Sequence, residues 1–282
     1  MRMSSHFIPN SVSKKPMKII SLTAIPSRFE GLGATLESLL EQEADQVRLN
    51  IPTAYRRFPD WDGTLPSVPA GVSIIRCETD FGPATKILPA AKAFRGQDVQ
   101  ILFCDDDCIV PRGWADRLFK IQARRPNQAV AVYVRASYLA DTSLPQGRQA
   151  WQVPITYDLP YRMSRLAQKL FGTQTAYHRP FLIPGYGDVF FGAGGVVVRP
   201  EFFDDQAWDI PQIAWLVDDV WLSAMLARKG IRIYCPWRAA LPKAQDTSEQ
   251  DALLALTFQG KDRQELNRAA AQYCRDSFGI WR

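Results

Sequence analysis

Between Lys18 and Val134 the chain alternates short apolar runs of strand type with stretches that carry one helical stripe, and this order limits its fold more than any other feature. Lys18 to Thr23 reads as a strand. Leu32, Leu36, Leu39 and Leu40 then recur at i, i+4, i+7 and i+8, the spacing of one helix face. Val47 to Ile51 alternates at the strand period, and a Pro/Gly/Asp-rich loop runs from Pro52 to Gly71. Val72 to Cys77 is the next strand, punctuated by Gly82-Pro83. Ile87, Ala91 and Phe94 predict a helix with Pro89 in its first turns. Ile101 to Cys104 is an apolar strand, Trp114, Leu118 and Ile121 mark a helix, and Ala129 to Val134 is a strand. Such alternation predicts an α/β fold with a mostly parallel central sheet flanked by helices. Ligands of these sheets bind beyond the carboxyl ends of the strands. Thr23, the Asp80 loop and Asp105 to Asp107 all fall there, which predicts one shared site.

The second half is less regular. Gln152 to Tyr186 is dense in proline and aromatic residues and reads as a long, partly irregular loop over the site. Gly192 to Val198 returns to a strand, Val217 to Arg228 is a helix, and Glu249 to Phe278 has a helical pattern, with Leu253, Leu256 and Phe258 apolar.

Composition narrows the function. With 34 Lys plus Arg against 29 Asp plus Glu, the net charge is +5, a mild excess that suits an anionic small molecule or weak contact with an anionic membrane surface. The basic residues are scattered, unlike the stripe of a nucleic-acid binder. Five cysteines without a CxxC pair argue for reduced thiols, and His6 and His178 give a Cys/His zinc site little support. No apolar stretch is long enough to span a bilayer, and Met1 to Pro16 lacks the apolar core of a secretory signal. The expectation is a cytoplasmic chain with a disordered lead-in over residues 1–16.

Four segments carry chemistry. Asp105-Asp106-Asp107 sets three mutually repelling carboxylates after an apolar strand. Mg²⁺ or Mn²⁺ offsets that repulsion, and such ions take one or two carboxylates plus substrate phosphates. In extended chain Asp105 and Asp107 address one ligand while Asp106 faces elsewhere. A solvated acidic turn is the plainer alternative. Asp218 and Asp219 open an amphipathic helix, where one serves as general base or both merely compensate the helix end. Asp80 to Lys86 puts a Gly-Pro turn and a lysine at a helix start, a place for phosphate oxygens or an ordinary turn. Thr23 to Arg28 follows the first strand and either holds a nucleotide or enters the helix.

Taken in order, these segments resemble the family 2-like glycosyltransferases with the A-type, Rossmann-like fold. The residues that carry the resemblance are Ile20 to Arg28, Thr35 to Gln42, Asp80 with Gly82 to Lys86, Ile101 to Asp107, Gly192 to Gly195, and Asp218 to Leu222. The resemblance implies a metal-dependent enzyme moving sugar from a nucleotide-diphosphate sugar, a UDP-sugar foremost, to a hydroxyl of a glycan or glycolipid. Asp105 and Asp107 would hold Mn²⁺ or Mg²⁺. Thr23, Arg28, Asp80, Lys86 and Asp106 would form the donor site, and Asp219 or Asp218 would be the base of an inverting displacement. Residues 17–135 would be the nucleotide-sugar half, 136–240 the acceptor half and 241–282 C-terminal helices.

The pattern departs from many A-type enzymes in offering no histidine after His178. Trp151, His178 and Tyr186 are acceptor candidates, because aromatic faces stack on sugar rings. A retaining transferase, a sugar nucleotidyltransferase and a non-catalytic glycan-binding protein stay open. The Thr23 to Arg28 segment lacks the glycine cluster of a nucleotidyltransferase.

Overall fold

The structure is a computed structural model that describes residues 15–139, 149–152, 158–172, 176–245 and 262–282. The first half holds β1 (Met17–Thr23), α1 (Leu32–Leu40), β2 (Gln46–Pro52), β3 (Val72–Cys77), α2 (Leu88–Ala93), β4 (Val99–Phe103), β5 (Cys108–Ile109), α3 (Trp114–Ala123), β6 (Ala129–Ala131) and β7 (Val134–Arg135). The second half adds β8 (Trp151–Gln152), α4 (Leu159–Phe171), β9 (Phe181–Ile183), β10 (Gly185–Gly187), β11 (Val189–Phe190), β12 (Val196–Val198), α5 (Asp218–Arg228), β13 (Ile233–Cys235), β14 (Lys243–Ala244) and α6 (Arg263–Phe278).

Eight strands form one sheet in the order β10-β13-β6-β12-β4-β1-β2-β3. The β4-β1-β2-β3 side is parallel throughout. β12 runs antiparallel to both neighbours, with Val196 opposite Phe103, and β10 is antiparallel to β13. The expected mostly parallel, helix-flanked sheet is therefore present, with two reversed strands.

Side-chain alternation divides two cores. Ile19 of β1 and Ile101 and Phe103 of β4 pack in the layer of α2 and α5. Ile20, Leu22 and Leu102 point the other way, with Leu32, Leu36 and Leu39 of α1 and Leu118 of α3. The stripe read from the sequence as α1's face is the face that is buried. α6 closes the first layer by packing Leu266, Ala270, Ala271 and Cys274 inward, and Phe278 lies 6.0 Å from Trp221 of α5. A capping box starts α6: Glu265 N–H donates to Asp262 Oδ1 at 2.8 Å, and Asp262 N–H donates to Glu265 Oε2 at 2.9 Å. All five cysteines are free and buried.

Two expectations change. The stretch read as irregular, Gln152 to Tyr186, contains α4, whose stripe was obscured by the density of proline and aromatic residues. Pro160 sits in α4's first turn, where a missing N–H costs no helical bond. The strand expected from Gly192 begins only at Val196, because Gly192–Gly194 is a 3-10 turn and Gly195 has φ +86°. A Cβ at Gly195 would strike the Trp114 ring, so this position needs glycine twice over. In the C-terminal helical stretch, the described helix begins at Arg263. Leu253, Leu256, Phe258 and residues 1–14 of the expected lead-in lie outside the described residues. Among the described residues no helix is long and apolar enough to cross a membrane.

Candidate active site

A cavity of about 650 Å³ opens at the carboxyl edge of β1 and β4. Its walls include Thr23, Arg28, Asp80, Lys86, Asp105, Asp106, Asp107, Asp218 and Asp219. The structure thus brings every expected donor, metal and base residue to one place, from segments separated by up to 196 positions (219 − 23). Trp151, His178 and Tyr186 do not line it. Tyr186 on β10 packs on Tyr234 at 5.6 Å and under Arg232, at the far edge of the sheet. His178 Nδ1 is 2.8 Å from Asp158 Oδ2 at the start of α4, and Trp151 on β8 is exposed.

Buried polar contacts set the cavity floor. Asn50 Nδ2 donates to Ser21 Oγ at 2.9 Å, and Ser21 Oγ donates to the Lys86 carbonyl at 2.6 Å. Three segments are tied together this way beneath the turn Gly82–Lys86. Thr35 Oγ1 of α1 donates to the Asp106 carbonyl at 3.0 Å, and Gln245 N–H donates to the Asp107 carbonyl at 2.8 Å. The acidic run after β4 is therefore held by its backbone, which lets its side chains serve other ends.

Two cations organise five carboxylates. Arg28 Nη1 donates to Asp106 Oδ1 at 2.8 Å and to Asp107 Oδ2 at 3.0 Å. Lys86 Nζ lies 2.7 Å from Asp105 Oδ1, 2.9 Å from Asp218 Oδ2 and 3.8 Å from Asp219 Oδ1. Burial works against the Lys86 ammonium, but Asp105, Asp218 and Asp219 outweigh it and hold its pKa well above the ordinary value. Burial pushes Asp106 up to about 7 despite Arg28, with Asp107 and Asp105 adding to the rise. Burial also raises Asp107, reinforced by Asp105. Asp219 is pushed to about 7 by burial, with Lys86 opposing and Asp218 adding.

Asp218 and Asp219 share a helix end and differ in exposure. The Asp218 side chain is 4% exposed and ion-paired, while that of Asp219 is 19% exposed toward the cavity. Neither caps α5: the residue before the helix is Val217, and it makes no side-chain cap bond. Asp219 Oδ1 instead accepts from Gly192 N–H at 3.0 Å. A Cβ at Gly192 would collide with Lys86 Nζ, so the close approach requires a residue without one.

Other wall residues gave no signal in the sequence. Tyr55, Phe58 and Trp215 form an aromatic end beside Asp80. Tyr55 Oη donates to the Ala24 carbonyl at 2.6 Å, and Arg56 stacks on Trp215 at 4.4 Å. Gly82, at φ +59°, lies against the Trp215 ring and backbone. Asp80 accepts from Arg56 N–H at 2.8 Å and Gly82 N–H at 2.7 Å, which fixes its carboxylate at the turn. Tyr138, Phe191, Arg263 and Asn267 close the opposite side. Tyr55 and Phe58 lie in the Pro/Gly/Asp-rich loop from Pro52 to Gly71, to which the sequence attached no functional reading.

Residues 67–186 match the profile of glycosyl transferase family 2. The likeness read from the ordered motifs is thereby shown over this stretch. The family 2 match takes in Asp80, Lys86 and Asp105 to Asp107, and it ends before Gly192 and Asp219. No curated protein matches the chain. Among solved structures, the chain is similar to a mannosyltransferase from Pyrobaculum calidifontis in complex with GDP-Man and Mn²⁺, at 15% identity and TM-score 0.45, covering 82% of this chain and 58% of that one. It is similar to GalNAc-T7 with UDP, GalNAc and Mn²⁺ at 11% identity and TM-score 0.49, covering 94% and 48%. It is similar to S. aureus TarS residues 1–349 at 14% identity and TM-score 0.42, covering 94% and 72%. The chain thus spans about half the length of the first two. The mostly parallel, helix-flanked sheet that the resemblance implied is present, and β12 is reversed beside β4.

Proposed function

We propose that the chain is a metal-dependent, inverting glycosyltransferase that moves a sugar from a nucleoside-diphosphate sugar to an acceptor hydroxyl in glycan or polysaccharide assembly. One observation carries the reading: the acidic run at the end of β4 and the acidic pair at the start of α5 face one cavity and share the buried cation Lys86. The family 2 match over the acidic run supports it.

The residues suit a divalent ion shared with the donor. Among the described residues no three His, Cys, Asp or Glu side chains form a complete cage. A cage is not needed, because Mg²⁺ and ions like it take one or two carboxylates and complete their shell with phosphate oxygens and water. Asp105 and Asp107 supply those carboxylates, and Arg28 and Lys86 are their counter-ions. When bound, Mn²⁺ or Mg²⁺ would stabilise the charge of the leaving diphosphate.

The chain's own groups supply the rest. The aromatic end at Tyr55, Phe58 and Trp215 gives a flat base a surface to lie on, with Asp80 as a hydrogen-bond acceptor at its edge. Arg28 and Lys86 place positive charge where the diphosphate develops negative charge. Asp219 accepts the acceptor hydroxyl's proton as the new bond forms at the anomeric carbon and the bond to the diphosphate breaks. Its raised pKa makes it a stronger base than a surface carboxylate. Gly192 N–H and Lys86 hold that carboxylate in place. Asp218 anchors Lys86.

Thermal melting against UDP, GDP, CDP and dTDP, each with Mn²⁺ and with a chelator, tests the donor site. A ligand that binds only the native state raises the midpoint. A metal-dependent rise with one nucleotide, lost in Asp107→Ala, is the expected result. No rise with any of them removes the donor-site reading.

A further inference from the structure

α4 presents its apolar stripe outward. Leu159, Met163, Leu166 and Leu170 fall within one narrow stripe at helical spacing and are 50–63% exposed. The sides turned toward the body are Tyr161, Ser164 and Ala167, which are only partly exposed. This is the reverse of an ordinary surface helix, whose apolar face lies on the core.

The helix is firmly placed in that orientation. Asp158 accepts from Tyr161 N–H at its N-terminus, and the same carboxylate bonds His178 at 2.8 Å and Arg179 N–H at 3.0 Å. Ser164 Oγ accepts from Ala176 N–H at 2.9 Å. Gly172, at φ +67°, ends the helix. The outward stripe is thus built in by polar contacts behind it.

Charge identifies what the stripe meets. Arg162 and Lys169 are exposed along one side of it, Arg165 is exposed further round on that side, and Leu159 to Phe171 contains no Asp or Glu. Near the helix's start, Arg117 donates to the Trp237 carbonyl at 2.5 Å, and Trp237 is itself exposed. Burial and the nearby Arg179 both depress the Arg117 guanidinium, which places two like charges close together. Thirteen residues span about 20 Å at the helical rise, too short to cross a hydrocarbon core of about 30 Å. A short, basic helix with an exposed leucine stripe matches a helix that lies in the plane of a bilayer interface.

We infer that α4 is a docking helix for an anionic lipid surface, with Leu159, Met163, Leu166 and Leu170 entering the headgroup boundary and Arg165 and Lys169 meeting lipid phosphates. A protein partner with an acidic rim is the competing occupant, as is a second copy of this chain. The anionic bilayer is favoured because the helix carries three exposed cations on one side of a straight apolar stripe and no acid. The inference does not rest on the transfer reading, since lipid binding is read with neither donor nor acceptor.

Cosedimentation of the full chain with vesicles tests it, using phosphatidylcholine alone and phosphatidylcholine with phosphatidylglycerol in equal parts. The expected result is binding to the mixed vesicles, weakened by salt, with little binding to phosphatidylcholine alone. Arg165→Glu with Lys169→Glu lowers the partition by about tenfold or more, at roughly 1 kcal/mol per cation at an anionic surface. Leu166→Glu with Leu170→Glu abolishes it. Circular dichroism and the melting midpoint establish that both variants keep the fold, as exposed positions allow. Met163→Trp gives a second readout independent of affinity: relative to the parent chain, its added emission is quenched by bromine-labelled acyl chains. The inference is overturned by equal binding of the charge-reversed variant, by absence of binding to the mixed vesicles, or by added emission in Met163→Trp that the brominated chains leave unquenched. A concentration-dependent dimer that Leu166→Glu dissolves, without vesicle binding, assigns the stripe to a second copy instead.

Discussion

Lys86 Nζ stands 2.7 Å from Asp105 Oδ1, and this one contact fastens the end of β4 to the acidic start of α5, because the same ammonium also pairs with Asp218. A single buried cation balances carboxylates from two distant segments. Lys86→Met leaves those carboxylates facing one another without a partner. Breaking a buried pair from one side costs roughly 3–5 kcal/mol, so the denaturant midpoint of the variant falls sharply. Added Mn²⁺ recovers more of that loss in the variant than it adds to the parent chain, read by parallel melts.

Asp219→Asn separates base from binding. Removing a general base costs typically about 10²–10⁴ in rate. The expected result is a fall in turnover of that order, with the metal-dependent nucleotide shift retained. Turnover near that of the parent chain would transfer the reaction to the retaining class.

The pH dependence follows from the same carboxyl. Asp219 has a folded pKa of about 7, above the ordinary carboxylate value. The unprotonated form is the base, so kcat/KM rises with pH and levels off above about 7. Stability runs the opposite way. Between the ordinary carboxylate range and about 7 the folded chain holds a proton that the unfolded chain has released, so its stability falls as pH rises through that window. In Asp219→Asn that contribution to the slope disappears, measurable as a flatter profile of melting midpoint against pH.

Gly192→Ala tests the close approach at the base. Its added methyl meets Lys86 Nζ and lies 3.1 Å from Asp219 Oδ1. Since a displacement of about 1 Å in a positioned group costs about 10²-fold, turnover drops by that order while nucleotide binding changes less. Steady-state kinetics beside nucleotide melts resolve the two effects.

The legible part of the site was the part written locally. Asp105 to Asp107 and Asp218-Asp219 are unusual clusters at element ends, visible wherever the chain goes next. The pairing of Arg28 with Asp106 joins positions 78 apart, and only the parallel register of β1 and β4 brings them together. Trp215, Arg263 and Asn267 look like ordinary core or surface residues in sequence; Arg263 and Asn267 enter the wall through the packing of α6 on α5, and Trp215 through the turn ahead of α5. α4 was missed as a helix amid its proline and aromatic neighbours, and recognising it would not have given its orientation. Its stripe has clean helical spacing, but a stripe does not say which way it faces, and here the polar side holds the body.

β12 gives the sheet a direction that matters to anyone who cuts or splices this chain. Its neighbours deliver residues to the cavity edge where they finish, whereas β12, running against β4, does so where it begins, at Gly192 to Gly195. Its exit is at the opposite rim, where Arg199 pairs with Asp98 just ahead of β4. A graft placed after Arg199 therefore meets the buried Pro200, Phe202 and Phe203 of the core rather than the cavity. The same graft before Val196 disables the cavity.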